Sequence, residues 1–386
     1  MTTLLPEDAE RAVLVTRVWR PDAGGPALCT VRDGDLVDIT SRDAPTMRDL
    51  LELDDPAGYV RPAPGELLGE AAAVLEGARE SAGDTARLHY LAPCDLQAVK
   101  ACGVTFARSM IERVIEEKAE GDPAQAAAIR ARCTAIIGDR LSDLKAGSRK
   151  AERVKEALIE EGVWSQYLEV GIGPFAEVFT KAQPMAAVGT GAAVGLLPVS
   201  RWNNPEPEIV LAVDSRGRVR GATLGNDVNL RDIEGRSALL LGKAKDNNAS
   251  CAVGPFIRLF DDGYSMDDVR EADLSLTVTG PDRFILSGSS TMREISRDPE
   301  DLMAETIGRH HQYPDGLMLF MGTLFAPTED RDAPGQGFTH KIGDRVDIAN
   351  PELGTLSNTV RYATDCPEWN FGTAALMRNL AKRGLI

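Results

Sequence analysis

The sequence predicts an α+β fold in two parts, a small β-rich domain over residues 1–95 and a larger domain over residues 96–386. Three observations support this prediction. Short apolar runs between turn residues dominate the first 95 positions, and charged residues with helical periodicity fill about 108–163. From Trp164 onward, apolar runs again alternate with Gly, Pro, Asn and Asp turns, so strands dominate the second half.

The N-terminal domain begins with two predicted strands, residues 12–19 and 28–32, separated by the turn sequence Pro-Asp-Ala-Gly-Gly. A stretch rich in alanine and leucine predicts a helix over residues 66–80. The sequence Leu-Ala-Pro-Cys-Asp, which starts at Leu91, predicts a linker to the second domain.

The segment of about 108–163 is dense in Glu, Arg, Lys and Ala, with a break near Gly138. This pattern predicts two or three amphipathic helices whose charged faces meet water. Because strand-like runs lie on both sides of it, the segment is interpreted as a helical insert in the larger domain.

Composition narrows the range of partners and compartments. The chain has 386 residues, and 43 basic against 59 acidic side chains give a net charge of -16. Such a surface repels nucleic acid and anionic lipid, and no apolar run is long enough to cross a membrane. The six cysteines form no CxxC pair, which predicts reduced thiols and a cytoplasmic location.

Three acidic side chains are the best candidates for a functional site. Glu206 and Glu208 are two residues apart before the apolar run 209–213, so on a strand they project from the same face. Asp227 follows in Gly-Asn-Asp-Val-Asn. Neighbouring carboxylates near a core repel unless a cation lies between them, and an all-oxygen set favours Mg²⁺, with Mn²⁺ or Ca²⁺ as alternatives, over Zn²⁺. The alternative is a solvated edge strand in an acidic chain.

An ordered set of motifs resembles the fumarylacetoacetate hydrolase superfamily over roughly the last three quarters of the chain. The resemblance implies a catalytic domain of mixed, curled β-sheets with a helical insert, a metal held by Glu206, Glu208 and Asp227, and a homodimer or higher homo-oligomer. The motifs are Phe179-Thr180-Lys181, Glu206-Pro207-Glu208, Asn226-Asp227 through Asp232, Ala244-Lys245, Gly254-Pro255, Gly322-Thr323 and Gly343-Asp344.

One departure from the superfamily pattern narrows the expected chemistry. Hydrolases of this superfamily activate water with a His and a Glu three residues later, whereas this chain has Ser109 and Glu112. Serine is not a base near neutral pH, so hydrolysis is put in doubt. The helical insert and Lys-Ala-Lys-Asp-Asn-Asn-Ala-Ser resemble the 2-keto-3-deoxy-pentonate dehydratase branch.

That resemblance implies dehydration of a 2-keto-3-deoxy-pentonate to 2,5-dioxopentanoate, with the 2-keto acid chelated by the metal. Lys245 is the expected base, acting as the neutral amine because a partly desolvated lysine beside a metal loses its proton more easily. Lys243 could share its face if the segment is extended. Glu112 is the expected acid, acting through a water held by Ser109. Substrate binding is assigned to Lys181, with an ion-pair role as its alternative, and to Arg108, Ser289, Ser290, Thr291 and Thr323.

Three other functions remain open at this point. The chain could be an acylpyruvate or β-diketone hydrolase, since Glu112 and the metal motif are retained. A decarboxylase of oxaloacetate-type substrates also needs a chelated 2-keto acid. A non-catalytic keto-acid-binding protein is the third, and the retained Lys245 and Asp227 argue against it.

Overall fold

In the part of the chain that the structure describes, strands form two β-sheets and short helices lie between them in sequence, in agreement with the predicted α+β class. A computed structural model describes residues 4–106, 110, 129, 131, 135, 144–162, 164–325, 327, 329–332 and 337–386. The strands are β1 Leu14–Arg20, β2 Gly25–Arg32, β3 Asp35–Asp38, β4 Glu66–Glu70, β5 His89–Leu91, β6 Ala98–Gly103, β7 Glu177–Ala182, β8 Ala193–Leu196, β9 Pro207–Val213, β10 Val219–Asp227, β11 Cys251–Leu259, β12 Asp273–Thr279, β13 Ile285–Thr291, β14 Leu317–Phe320, β15 Arg345–Asn350 and β16 Gly354–Tyr362.

The described helices are short and lie between these strands. None of them is long and apolar enough to cross a membrane. They are α1 Met47–Glu52, α2 Pro56–Val60, α3 Ala71–Glu76, α4 Ala78–Ser81, α5 Arg149–Glu160, α6 Gln166–Ile172, α7 Arg231–Glu234, α8 Leu241–Lys245, α9 Met266–Glu271, α10 Pro299–Thr306 and α11 Thr373–Lys382, with 3₁₀ turns at Ala238–Leu240 and Met292–Glu294.

The larger sheet has the strand order β4-β3-β2-β1-β11-β10-β9-β14-β6-β7. In addition, β5 pairs with residues 17–19 of β1. Leu14 and Val15 of β1 pair with Arg258 and Ile257 of β11, so the N-terminal strands continue the sheet of the later residues. The domain boundary at residue 95 stays a prediction. The smaller sheet has the order β13-β12-β15-β16-β8.

The main core lies between the two sheets. In β9, Ile209, Leu211 and Val213 point into that core, together with residues of β12, β15 and β16. Val210 and Ala212 point to the opposite face, where they pack with side chains of α1 and α2. Because both faces of β9 are covered, its sequence reads as a continuous apolar run, which is typical of a central strand. Glu208, which shares the parity of Val210, therefore lies on the face of α1 and α2.

Two sequence-based assignments in the N-terminal part are wrong. The helix predicted over 66–80 begins only at Ala71, because residues 66–70 form β4 and pair with β3. Its second half is two short helices separated at Gly77. Leu91 belongs to β5 rather than to a linker. In both places pairing with a distant strand overrides local propensity. Of the helical insert, the structure describes α5 as a complete helix, capped by Ser148, which accepts a hydrogen bond from the Ala151 N–H.

Gly225 of β10 lies beneath the tightly packed side chains of Phe320 and Val210, so its replacement tests the packing of the central strands. A Cβ at Gly225 would come within 2.3 Å of Phe320 Cε1 and 2.5 Å of Val210 Cγ2. We expect Gly225→Ala to lower the free energy of unfolding by about 1–3 kcal/mol through overpacking. The measurement is the urea midpoint in metal-free buffer. Gly242→Ala is the matched control, because a Cβ there meets nothing within 4 Å. Equal midpoints for the two variants would contradict the packing described here.

Candidate metal centre

The three acidic side chains converge at the adjoining ends of β9 and β10. Glu206 immediately precedes β9, Glu208 lies within it, and Asp227 ends β10. The register sets Gly225 opposite Glu208, and the Asp227 N–H donates to the Glu206 carbonyl at 3.0 Å. One carboxylate oxygen from each residue lies within 4.8 Å of the other two. All three residues are at most 4% exposed, so the alternative of a solvated edge strand is wrong.

A nearby hydrogen-bond donor orients each carboxylate. The Gly322 N–H donates to Glu208 Oε2 at 2.6 Å. The Asn229 Nδ2 donates to Glu206 Oε1 at 2.9 Å, and Lys181 Nζ lies 2.8 Å from Asp227 Oδ1. Because a carboxylate oxygen has two lone pairs, an oxygen that accepts one of these hydrogen bonds can also bind a cation, and one oxygen of each residue is close enough to the others to do so. Buried carboxylates at that spacing, with oxygen as the donor atom, fit a hard divalent cation.

Lys181 is fully buried and uses its ammonium group within the protein. Besides Asp227, its Nζ donates to the carbonyls of Val228 at 3.3 Å and Lys245 at 2.5 Å. An ammonium has three donors, so these partners account for all of them. Of the two roles left open by the sequence, the geometry favours the structural ion pair over binding of the substrate carboxylate.

Lys245 lies in the site, and Lys243 does not. The Lys245 Nζ is 2.5 Å from Glu206 Oε2 and 2.9 Å from Asp227 Oδ2, and 5.6 Å from the centre of the Phe179 ring. Lys243 is exposed. The expectation that the two lysines could share a face assumed an extended segment. Both belong to α8, where residues two apart point in different directions.

Burial and charge set the protonation of these groups. Burial, with the neighbouring charges of Asp227 and Glu206, raises the pKa of Glu208 well above its usual value. Burial would also raise the pKa of Asp227, but the charges of Lys181 and Lys245 outweigh it and lower that pKa. For Lys245 burial favours the neutral amine, yet the carboxylates of Asp227 and Glu206 raise the pKa above its usual value. Within the protein alone, the contacts with these two carboxylates favour the ammonium form of Lys245, whereas the sequence-based prediction requires the neutral amine.

A cavity opens onto this cluster and brings in residues that sequence reasoning missed. Two more carboxyl groups, Glu177 and Glu234, line it together with Cys102, Phe179 and the backbone of Gly322. Glu234 is held by the Asn229 amide, whose Nδ2 donates to Glu234 Oε2 at 2.6 Å as well as to Glu206. No spacing rule links Asn229 or Glu177 to the metal motif, so only the folded chain reveals them.

The predicted hydroxyl-bearing residues are only partly brought to the cavity. Thr323 lines it, next to Gly322. Ser289, Ser290 and Thr291 lie on β13, at the edge of the smaller sheet, and are not among the residues that line it. The Ser290 hydroxyl is buried and accepts from the Leu324 N–H at 3.2 Å, which fixes the segment after Thr323. The remaining candidates, Arg108, Ser109 and Glu112, lie outside the described residues.

Comparisons with known proteins find the family that the sequence motifs resemble. Residues 177–361 match the family model described as "Fumarylacetoacetate (FAA) hydrolase C-terminal". The chain is 33% identical over 201 residues to a probable 2-keto-3-deoxyxylonate dehydratase of Haloferax volcanii. It is 32% identical over 185 residues to 2-dehydro-3-deoxy-D-arabinonate dehydratase of Saccharolobus solfataricus. These matches cover 52% and 48% of this chain and 65% and 58% of the relatives, so it spans less than two thirds of their length.

Solved structures share the fold. One is 2-keto-3-deoxy-D-arabinonate dehydratase complexed with magnesium and 2,5-dioxopentanoate, with a TM-score of 0.63 and 21% identity over 90% of this chain and 99% of that one. Its apo form gives a TM-score of 0.62 at 22% identity, again over 90% of this chain and 99% of that one. These structures confirm the predicted α+β fold. The match to the family model and the two relatives confirm the resemblance drawn from the sequence motifs.

The cluster predicts specific uptake of a divalent ion. We expect Mg²⁺ to raise the free energy of unfolding of the wild-type protein by about 2.7 kcal/mol at a concentration of 100 times the dissociation constant. Glu208→Gln should weaken Mg²⁺ binding at least about tenfold, since one charged ligand is lost at a buried site. Isothermal titration calorimetry measures the Mg²⁺ dissociation constant of the wild type and of Glu208→Gln. Glu294→Gln, at an exposed glutamate, is the control. Equal affinity in Glu208→Gln and wild type would refute the assigned cluster.

Proposed function

We propose that the protein is a divalent-metal-dependent hydro-lyase that converts a 2-keto-3-deoxy-pentonate to 2,5-dioxopentanoate. The observation that carries the proposal is the buried cluster of Glu206, Glu208 and Asp227 with the Lys245 ammonium directly against it. Support also comes from the two curated relatives, both dehydratases of 2-keto-3-deoxy sugar acids. The proposed cofactor is Mg²⁺, in keeping with the all-oxygen ligand set.

The charges of the site suit an anionic 2-keto acid. Three carboxylates against the ammonium groups of Lys181 and Lys245 leave one negative charge. A divalent cation and one substrate carboxylate would bring the cluster to neutrality, which a buried site requires. In a chain of net charge -16, this supplies the local attraction that an anionic substrate needs. The ion, when bound, would act as a Lewis acid on the 2-keto group.

Lys245 is the proposed base for the C3 proton. Its Nζ is the cationic group nearest the ligand oxygens on the cavity side, and the Phe179 ring covers it at 5.6 Å. If Glu206 and Asp227 shared their charge with a cation, their attraction for the ammonium would weaken, which would favour release of its proton to solvent before the elimination. The amine can then accept the C3 proton as the C4 hydroxyl leaves.

The departing C4 hydroxyl needs a proton from an acid. In the described part of the cavity, Glu177 and Glu234 are the carboxyl groups outside the proposed ligand set. Glu234 is oriented by Asn229, and Glu177 lies on β7 two residues before Phe179. Glu112, assisted by Ser109, was predicted from the sequence as this acid. It stays a prediction, alongside Glu177 and Glu234. Homodimerisation and a cytoplasmic location also stay predictions.

Turnover of a substrate panel tests the proposed function. Each 2-keto-3-deoxy-pentonate would be incubated with the Mg²⁺-loaded protein and, in parallel, with excess EDTA, and 2,5-dioxopentanoate would be detected by mass spectrometry. We expect product only in the loaded reaction. An acylpyruvate and oxaloacetate complete the panel. Cleavage of the acylpyruvate with no dehydration would replace the proposal by the hydrolase alternative, and binding of every keto acid without turnover would replace it by the binding-protein alternative.

The role of Lys245 predicts a separation of binding from catalysis. We expect Lys245→Met to lose elimination by at least about a thousandfold, because the base is removed. Mg²⁺ affinity should be kept or increased, since a competing cation 2.5 Å from Glu206 is gone. Steady-state kinetics and calorimetry measure the two quantities. Lys243→Met, in the same helix but exposed, is the matched control and should behave like wild type. A Lys245→Met variant with normal turnover would refute the role.

A further inference from the structure

A second cavity of about 240 Å³ lies beside β1 and is separate from the metal centre. It is bounded by β1, β5, the segment after β7 and the segment before α11, and it shares no lining residue with the metal cavity. We propose that this cavity binds a small aromatic carboxylate. The lining of the cavity, one buried guanidinium and one strained residue carry the inference.

Aromatic and small side chains line the cavity, which we call the slot. The Trp19 ring stacks on His89 with centroids 6.3 Å apart and meets Phe371 edge-on at 5.2 Å. Trp369 also lines the slot and is 41% exposed. The lining further includes the small residues Ala186, Ala187, Ala192 and Ala193, whose side chains take up little space. A lining of aromatic rings and small residues fits a planar ring.

The anchoring group is Arg17, which is 5% exposed. Its Nη1 donates to the carbonyls of Ala92, at 3.2 Å, and Cys94. For Nη2 the partner in the described part of the chain is the Met185 sulfur, at 3.8 Å. A thioether is a weak acceptor, so this nitrogen has donors that a carboxylate would satisfy far better.

Met185 has the properties of a displaceable cap. Its φ of 68° lies in the left-handed region, which is unfavourable for a residue with a side chain. Such strain is concentrated at ligand sites, and the unbranched methionine side chain can adopt other rotamers. A ligand carboxylate that reaches Arg17 would take the place of the Met185 sulfur.

Arg17 has one carboxylate partner among the described residues, Asp95, and that contact uses Nε and leaves Nη2 available to an anionic ligand. Asp95 Oδ2 lies 3.5 Å from Arg17 Nε, but its two oxygens also accept the N–H groups of Met47, at 2.7 Å, and Arg48, at 3.1 Å. The carboxylate of Asp95 is therefore engaged on the side of α1. Glu368, on the outer segment, is exposed and screened by water.

Benzoate is the probe, and benzylamine, with the same ring and the opposite charge, is its control. We expect benzoate to bind the Mg²⁺-loaded protein with a dissociation constant of about 1 mM or lower, measured by calorimetry and by quenching of tryptophan fluorescence. Benzylamine should not bind. Absence of saturable benzoate binding up to about 10 mM, or equal binding of benzylamine, would overturn the proposal.

Two variants locate the binding. Ala187→Phe fills the slot and should weaken benzoate binding at least about tenfold. Trp369→Ala removes an aromatic ring from the lining and should also weaken it, whereas Trp202→Ala, at an indole that is 40% exposed outside the cavity, should not. Binding unchanged in Trp369→Ala would overturn the proposal even if Ala187→Phe fails to fold.

Two further outcomes separate this proposal from others. Benzoate should bind Lys245→Met with the same affinity as wild type. The test of benzoate binding is therefore independent of the proposed lyase activity. Sedimentation velocity tests the other occupant, a second copy of the chain. If Ala187→Phe or Trp369→Ala dissociates an oligomer and benzoate does not bind wild type, the cavity receives a partner subunit and the proposal is wrong.

Discussion

The repulsion among three buried carboxylates is the constraint on which the functional part of this protein depends. Glu206, Glu208 and Asp227 are removed from water, so their mutual repulsion is strong and must be balanced locally. Lys181 and Lys245 balance part of it. Backbone and side-chain donors around the cluster fix the directions of the carboxylates. The remaining negative charge defines what else the site can accept.

The ligand set could be predicted from the sequence because its geometry is mostly local. Glu206 and Glu208 share a face by strand periodicity, and the run that follows them identifies a central strand. Asp227 needed the family resemblance, because the register between β9 and β10 cannot be derived from spacing alone. Lys245 was found in the same way, but the helical conformation of α8 was not, so Lys243 was retained beside it.

What the sequence could not provide depends on contacts between distant segments. Glu177, Glu234 and Asn229 reach the site from three separate elements, and no periodicity connects them. The stretch 66–70 has local helix propensity but pairs with β3, a choice that only the assembled sheet can make. The same applies to the protonation of Lys245, which follows from two carboxylates that are 39 and 18 positions earlier in the chain.

The position of β11 between β1 and β10 has an evolutionary consequence. One edge of β11 is bonded to the N-terminal strands and the other to the strand that ends in Asp227. Recombination that removed or exchanged the N-terminal strands would leave β11 with an unpaired edge, which is a template for aggregation. The N-terminal region is therefore not an interchangeable module, and we expect it to be inherited together with the strands that carry the ligands.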